Sequence, residues 1–525
     1  MGRRIRWLGV IMVACLGLVV AQLVNIQLVK AKALQASPYN PRIGAQALNN
    51  MRGEILASDG TVLAESVKTT KAQQQGGYPY NYVREYPQGT LYSGITGYDS
   101  ILDYGQTGIE NYYNSSLERH QQAPQTLSQI IFREQLPSTT DSVTLTIEPK
   151  LQAAAQNALS TMPPGINRDG AIVVLNPKTG AILAMYSSPN YDPNLMSSPS
   201  LPAEHLAYLG YTTKDHEGYY PLRPLATGET FFPGSTMKVV TSTTAYNLKP
   251  ALANFDYPVS SQLNFSDSNV PLHADSGSCG GTMTIMLPQS CDPGYGELGI
   301  QEGVSTLRQQ AELFGINSQP PVDLPSNTQQ PVGGVVPSTL QTLPENSQAF
   351  QAYTAIGQKT VADTALQNAM VAAGIANGGN VMTPHLMSAI HDSQGALVKS
   401  YTPTVYKQAA SANAAQSVTA LMEGVITQPG ATAAGVGFPS YLCAAVKTGT
   451  AQTGLNLNHD WMIGFAPANN PQVAIAVVVP FQYIGSDGAS VAGPIMNYMM
   501  QQALPQGSIQ QPCTVQAPPL SVYGH

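Results

Sequence analysis

The chain has 525 residues, of which 10% are charged and 43% hydrophobic. That is room for two or three domains, with far less charge than the roughly 25% usual for soluble proteins. The formal net charge of −7 gives no basic stripe for nucleic acid, and the 8 histidines and 5 cysteines fall in no zinc-ligand spacing. No metal and no other cofactor is expected. So little surface charge would suit an acidic exterior, where few carboxylates need protonating.

Residues 1–34 read as a short cytoplasmic segment and a membrane anchor. Trp7 to Val29 is apolar apart mainly from Gln22, Asn25 and Gln27, and about twenty such residues span a bilayer. Arg3, Arg4 and Arg6 precede it, so the N-terminus is expected inside and everything after the anchor outside. The rival reading is a signal peptide cleaved near Ala31-Lys32-Ala33, but the apolar core is longer than a usual signal core.

Residues 35–140 alternate short apolar runs with Gly, Pro, Tyr and Asn. Within them, Ala57-Ser58-Asp59-Gly60-Thr61 predicts a hairpin turn between Glu54-Ile55-Leu56 and Val62-Leu63-Ala64. Val143–Ile147 is β-rich, and Glu148-Pro149 opens a helix through Leu159. Ala171–Leu175 and Ala181–Ser187 flank an Asn176–Gly180 turn. Pro233-Gly234 then breaks the chain ahead of Ser235 and an apolar, helix-compatible run. Further on, Trp461–Pro467 and Val473–Val479 predict a second hairpin, and 488–504 a helix whose Met496, Met499 and Met500 belong to a core. Residues 141–505 thus form a catalytic region, and the Gln- and Pro-rich 506–525 a tail. Strands at both ends with helices between make the fold class α+β.

Four cysteines lie beyond the anchor: Cys279, Cys291, Cys443 and Cys513. They allow three pairings, which sequence does not choose between. Cys279 with Cys291 is attractive because it would brace the loop carrying Ser290, contributing about 3 kcal/mol in the chain-entropy model.

The chemistry centres on Ser235 and Lys238, one helical turn apart. A serine hydroxyl is a weak nucleophile until a base takes its proton, and a lysine of lowered pKa can serve. Ser290-Cys291-Asp292 and Lys447-Thr448-Gly449-Thr450 follow. Ser-x-x-Lys, Ser-x-Asn-like and Lys-Thr-Gly, in that order, are the motif set of penicillin-binding proteins and serine β-lactamases. An earlier Lys178-Thr179-Gly180 precedes Ser235 and is only a turn. Further matches are Arg52-Gly53-Glu54-Ile55, Gly105-x-x-Gly108-Ile109-Glu110, Pro189-x-Tyr191-Asp192-Pro193-Asn194, Ile356-Gly357-Gln358 and Ile375-Ala376-Asn377-Gly378-Gly379. Over most of its length the chain resembles a class B penicillin-binding protein of the actinobacterial penicillin-binding protein A type.

That resemblance implies a five-stranded antiparallel sheet flanked by helices, a helical subdomain, and a small pedestal or dimerisation-like domain over 35–140. It implies a membrane-anchored peptidoglycan D,D-transpeptidase acting on stem peptides that end in D-Ala-D-Ala, blocked covalently by β-lactams. A polytopic glycan polymerase of the SEDS family is the implied partner. Ser235 would be the nucleophile, Lys238 its base and Ser290 a proton shuttle. Lys447, Thr448 and Thr450 would hold a terminal carboxylate, and Gly449 would let the substrate backbone lie close. The amides of Ser235 and Thr450 would form the oxyanion hole. Asp292 departs from the family's Asn: ionised Asp only accepts hydrogen bonds, so it is either protonated or the site works differently. Hydrolysis of D-Ala or β-lactams, and a weakened scaffold, are the competing readings. His459 and Asp460 are strand neighbours facing opposite ways and receive no role.

Overall fold

Val473–Val479 is an unbroken run of apolar residues, the pattern of a strand covered on both faces. It lies in the middle strand of a five-stranded sheet in the computed structural model. The structure describes residues 2–24 and 48–509, apart from 76–77, 79, 101–103, 119, 122–137, 166–168, 216–217, 276, 327–331, 343, 345 and 455. From edge to edge the strands are Ala445–Gln452, Leu457–Ala466, Val473–Tyr483, Gly170–Leu175 and Ile182–Ser188, every neighbouring pair antiparallel. Helices Pro149–Thr161 and Ala492–Ala503 pack on each other and on this sheet, as do Ala365–Ala376 and Ala412–Thr427. Met496, Met499 and Met500 are all buried in the main core. The α+β arrangement expected from the order of elements is the one observed, with both hairpins in place. The proposed tail from 510 onward lies outside the described residues.

A second sheet has six strands in the order Leu397–Ser400, Met387–His391, Ser142–Leu145, Ile55–Leu56, Val62–Lys68 and Tyr82–Glu85. The predicted turn after Leu56 does close a hairpin, pairing Ile55 with Ala64. Ile55 also pairs in parallel with Val143, and Ile390 pairs with Val143 from the other side. Against this sheet the wholly buried Glu110 is gripped by two arginines. Arg52 Nε and Arg84 Nε each donate to its carboxylate at 2.6 Å, and the Tyr86 hydroxyl adds a bond at 3.2 Å. Burial raises the Glu110 pKa, but the two guanidinium charges and their hydrogen bonds outweigh it and hold the carboxyl below its ordinary range.

The first helix is Gly2–Val24, of 23 residues. Side chains at several of its positions fall outside the described set. Counted over the described residues alone, no helix is long and apolar enough to cross a membrane.

Buried titratable groups give stability a slope with pH. Burial pushes Asp363 and Asp460 up to about 7, and pushes His459 down to about 4. A raised carboxyl contributes stability that is complete below its unfolded range and lost as pH climbs toward 7. The depressed His459 works the other way, losing stability as pH falls below its unfolded value. Glu423 is also pushed up to about 7 by burial and Glu302 well above its ordinary range, so the raised carboxyls outweigh the one imidazole. Stability should therefore rise from about pH 7 to about pH 5. Thermal unfolding across that range checks it, with Asp363→Asn flattening the slope; a wild type less stable at the lower pH would refute it.

Candidate active site

Ser235 lies in the 3-10 turn Gly234–Met237, and the α-helix proper begins at Lys238 and runs to Leu248. The sequence suggested a serine at a helix start. The structure puts it one turn earlier, where it makes no capping bond and its hydroxyl is free to meet a side chain. That side chain is Lys238, whose Nζ stands 2.9 Å from Ser235 Oγ. Gly234 has φ +55°, and a Cβ there would lie 2.5 Å from the Thr450 carbonyl oxygen. Only glycine lets the turn press so closely on the edge strand. Gly234 N also donates to Gly357 O at 3.0 Å, so the Ile356-Gly357-Gln358 motif supports the turn.

The second motif joins two helices, Met283–Gln289 and Asp292–Glu302. Ser290 sits between them in the left-handed conformation at φ 57°, which L-residues other than Asn and Asp seldom adopt. Its carbonyl and hydroxyl lie 2.7 and 3.1 Å from Lys238 Nζ. Asp292 is the first residue of its helix, where the dipole favours a negative charge. Its Oδ1 accepts from Lys238 Nζ at 2.5 Å. Lys238 Nζ is thus surrounded by four oxygens from three residues.

Cys279 and Cys291 are joined by a disulfide with Cα atoms 5.6 Å apart, tying the residue beside Ser290 to the preceding strand. Cys443 is also disulfide-bonded, while Cys513 lies outside the described residues. Among the described residues Cys15 is the free cysteine. Replacing Cys279 and Cys291 together by alanine should cost about 3 kcal/mol in denaturant unfolding; an unchanged midpoint would remove the bracing role.

Lys447 comes from the edge strand Ala445–Gln452. Its Nζ is 3.0 Å from Ser290 Oγ, 2.8 Å from Thr448 O and 3.3 Å from Thr448 Oγ1. Burial, and then the charge of Lys238, press its pKa well below that of an ordinary lysine. One hydrogen-bonded chain therefore runs Ser235–Lys238–Ser290–Lys447. Thr448 Oγ1 also meets Thr432 Oγ1 at 2.8 Å, and Thr450 Oγ1 accepts from Gly488 N at 3.1 Å. Nothing in the sequence marked Thr432 or Gly488, since each reaches the strand from a distant loop.

Gly449 also has a reason within the fold itself. A Cβ there would meet Thr236 Cγ2 at 2.7 Å and Pro233 O at 2.8 Å. The space a side chain would need is taken by the Gly234–Met237 turn. The earlier Lys178 is a turn residue, its Nζ bonded to Asn470 Oδ1 at 2.6 Å on the surface. Trp461 pairs with Gly449 across the strands and is anchored by its indole N–H on Phe232 O at 3.0 Å. Among the described residues no group of His, Cys, Asp and Glu is arranged to hold a metal.

Residues 170–501 match the family model of the penicillin-binding protein transpeptidase domain, and residues 52–135 that of the penicillin-binding protein A dimerisation domain. The peptidoglycan D,D-transpeptidase PbpA of Mycolicibacterium smegmatis is 32% identical over 523 residues, covering 97% of this chain and 100% of the relative. PbpA of Mycobacterium tuberculosis is 32% identical over 520 residues, covering 96% of this chain and 99% of the relative. The ceftriaxone acyl-enzyme complex of penicillin-binding protein A from M. tuberculosis superposes with a TM-score of 0.74 at 30% identity, over 88% of this chain and 100% of that one. The penicillin G acyl-enzyme complex of the same protein gives a TM-score of 0.72 at 31% identity, over 87% of this chain and 100% of that one. With three motifs converging on one buried network and this likeness running nearly end to end, the chain belongs to the penicillin-binding protein transpeptidases.

Proposed function

We propose that this chain is a membrane-anchored peptidoglycan D,D-transpeptidase that works through a serine acyl-enzyme and is inactivated covalently by β-lactams. The observation that carries it is the continuous contact Ser235–Lys238–Ser290–Lys447 at 2.9, 3.1 and 3.0 Å. Ser235 Oγ attacks the carbonyl of the penultimate D-Ala while its proton leaves through Lys238. The terminal D-Ala departs as an amine, protonated by way of Ser290. Thr448, Thr450 and Lys447 receive the substrate carboxylate on the edge strand, and the Ser235 and Thr450 amides stabilise the oxyanion. A neighbouring stem peptide's amine then takes the acyl group, closing the cross-link.

Residues 1–34 serve as anchor, 35–140 as pedestal, 141–505 as catalytic domain and 506–525 as tail. Support for the anchor comes from the helix Gly2–Val24, which exposes Trp7, Val10, Met12, Val13, Leu16, Leu18, Val19 and Val20. So many exposed apolar groups in water would be costly, and in a bilayer they are not. The arginines before Trp7 set the N-terminus inside and the catalytic domain outside. A polytopic SEDS-family polymerase is the partner expected at the anchor and pedestal, where residues 52–135 match a dimerisation domain.

The test uses the full chain in detergent with uncross-linked glycan strands whose stems end in D-Ala-D-Ala. D-Ala release together with cross-linked dimers is the expected result. Release without dimers would make it a carboxypeptidase, and neither product a scaffold.

A further inference from the structure

Three polar side chains outside the acyl-transfer chain meet where the loop after strand Val473–Tyr483 folds back over the catalytic edge of the sheet. Asn458 and Asp460 lie two residues apart on strand Leu457–Ala466, so they share one face, opposite Gln452 and Thr450 of the edge strand. Ser486 comes from the returning loop. That loop is held down by Ile484 N on Asn456 O at 3.2 Å and by Gly488 N on Thr450 Oγ1 at 3.1 Å. The Asn458 amide reaches the same loop, donating from Nδ2 to Ser486 O at 3.0 Å. The Ser486 hydroxyl stands close enough to the Asp460 carboxylate to lower its pKa.

Asp460 is 0% exposed and Asn458 4%. Yet both carboxylate oxygens of Asp460, Oδ1 of Asn458 and Oγ of Ser486 have no hydrogen-bond partner among the described residues. Buried polar atoms are nearly always satisfied, and here four orphaned oxygens come from three adjoining residues. The Ser486 hydroxyl is the one donor among them. Turned onto the carboxylate, it would satisfy a single oxygen and leave the other, and Asn458 Oδ1, unmet. Reversing the Asn458 amide would set its oxygen against the Ser486 carbonyl. Nor does a basic side chain answer them. The charge that bears on Asp460 is that of Asp487, a second carboxylate, which raises its pKa further. His459 faces the other side of the sheet, with Nδ1 bonded to Phe481 N at 3.4 Å.

We propose that Asn458 Oδ1, the Asp460 carboxylate and Ser486 Oγ are the protein ligands of a hard divalent cation, with calcium the best fit. Oxygen-only ligands of mixed charge suit calcium, and water would complete its shell of about 6 to 8 oxygens. No trio of His, Cys, Asp and Glu is needed, because two of the three ligands are neutral. Asp460 together with the neighbouring Asp487 balances a charge of two. With so few charged ligands, binding belongs to the weak class, with Kd about 10⁻⁴ to 10⁻³ M. The ion would fasten the returning loop to the strand paired with Thr450, whose hydroxyl that loop already holds through Gly488.

The experiment is thermal unfolding of the full chain in detergent at about pH 8, after removal of divalent ions with EDTA. Wild type, Asp460→Asn and Ser486→Ala are each compared in about 10 mM calcium chloride and in sodium chloride of equal ionic strength. Calcium should raise the wild-type midpoint by about 2 to 5 °C, the effect of a ligand at about 10 to 100 times its Kd on a domain this large. The shift should vanish in Asp460→Asn and fall by at least about half in Ser486→Ala. Equilibrium dialysis of the wild type should count about one calcium ion per chain. A wild type that calcium does not stabilise, or that sodium stabilises equally, overturns the proposal. So does a calcium shift that survives intact in Asp460→Asn. Should Asp460→Asn fail to fold, Ser486→Ala and the ion count decide: an undiminished shift in that variant, or no bound ion in the wild type, overturns it.

Discussion

Ser235→Ala will abolish covalent labelling by a fluorescent penicillin while leaving the fold intact. The hydroxyl makes one side-chain hydrogen bond, to Lys238 at 2.9 Å, and Lys238 retains three other oxygen partners when it is gone. Thermal unfolding should then shift by no more than about 1 kcal/mol, the typical worth of one hydrogen bond. Labelling should fall below detection, because the bond to the drug has no oxygen to form on. Lys238→Ala separates nucleophile from base: acylation should persist but slow by a factor of about 10² to 10⁴, the usual range for removal of a general base. The two variants together are informative. Labelling that survives in Ser235→Ala, measured on denaturing gels after boiling, would place the reactive atom elsewhere.

Glu110→Ala is expected to be the most damaging single change away from the active site. Its carboxylate is fully buried between Arg52 and Arg84, both themselves almost entirely buried. Removing it takes from Arg84 its carboxylate partner and leaves Arg52 only the longer contacts to Asp99 at 3.6 Å and Glu118 at 3.9 Å. Breaking a buried ion pair from one side typically costs about 3 to 5 kcal/mol, because the remaining charge is stranded. Arg84 bears most of that cost, so a loss within that range is expected. Since Glu110 joins Arg52, Arg84 and Tyr86 from different segments, the loss should be read by denaturant unfolding of the whole chain. A change under about 1 kcal/mol would mean that water or a rearranged Asp99 replaces the missing partner. Asp99 stands 3.6 Å from Arg52 Nε, which makes it the natural substitute.

Much of this was legible in the sequence, for identifiable reasons. Strands such as Val473–Val479 are buried on both faces and declare themselves by continuous apolarity. Ser235 and Lys238 are three residues apart, so their encounter is a matter of local helical geometry. Ser290, Asp292 and Lys447 could be paired with them only through the order and spacing of family motifs, and the structure brings them within hydrogen-bond reach. What stayed hidden is what depends on distant backbone. The support of Gly234 by Gly357, the contact of Thr448 with Thr432 and the hold of Gly488 on Thr450 have no local signature. Nor does the reason for Gly449, whose neighbours Pro233 and Thr236 lie more than two hundred positions earlier. The grip of Asp292 on Lys238 was likewise unreadable, since the residue type alone left its protonation and partner open.

The six-stranded sheet constrains the order in which this molecule can be built. Its strands Ile55–Leu56 and Val62–Lys68 leave the ribosome early, yet the neighbour of Ile55 is Val143, and the neighbour of Val143 is Ile390. A chain threaded outward from its N-terminus therefore exposes the margin of Ser142–Leu145 until about 240 further residues have followed it. Open margins of that kind invite pairing with other chains. Assembly of this sheet is thus a wait for the chain's own last third, and a factor that shields residues 142–145 during that interval would raise the yield of folded enzyme.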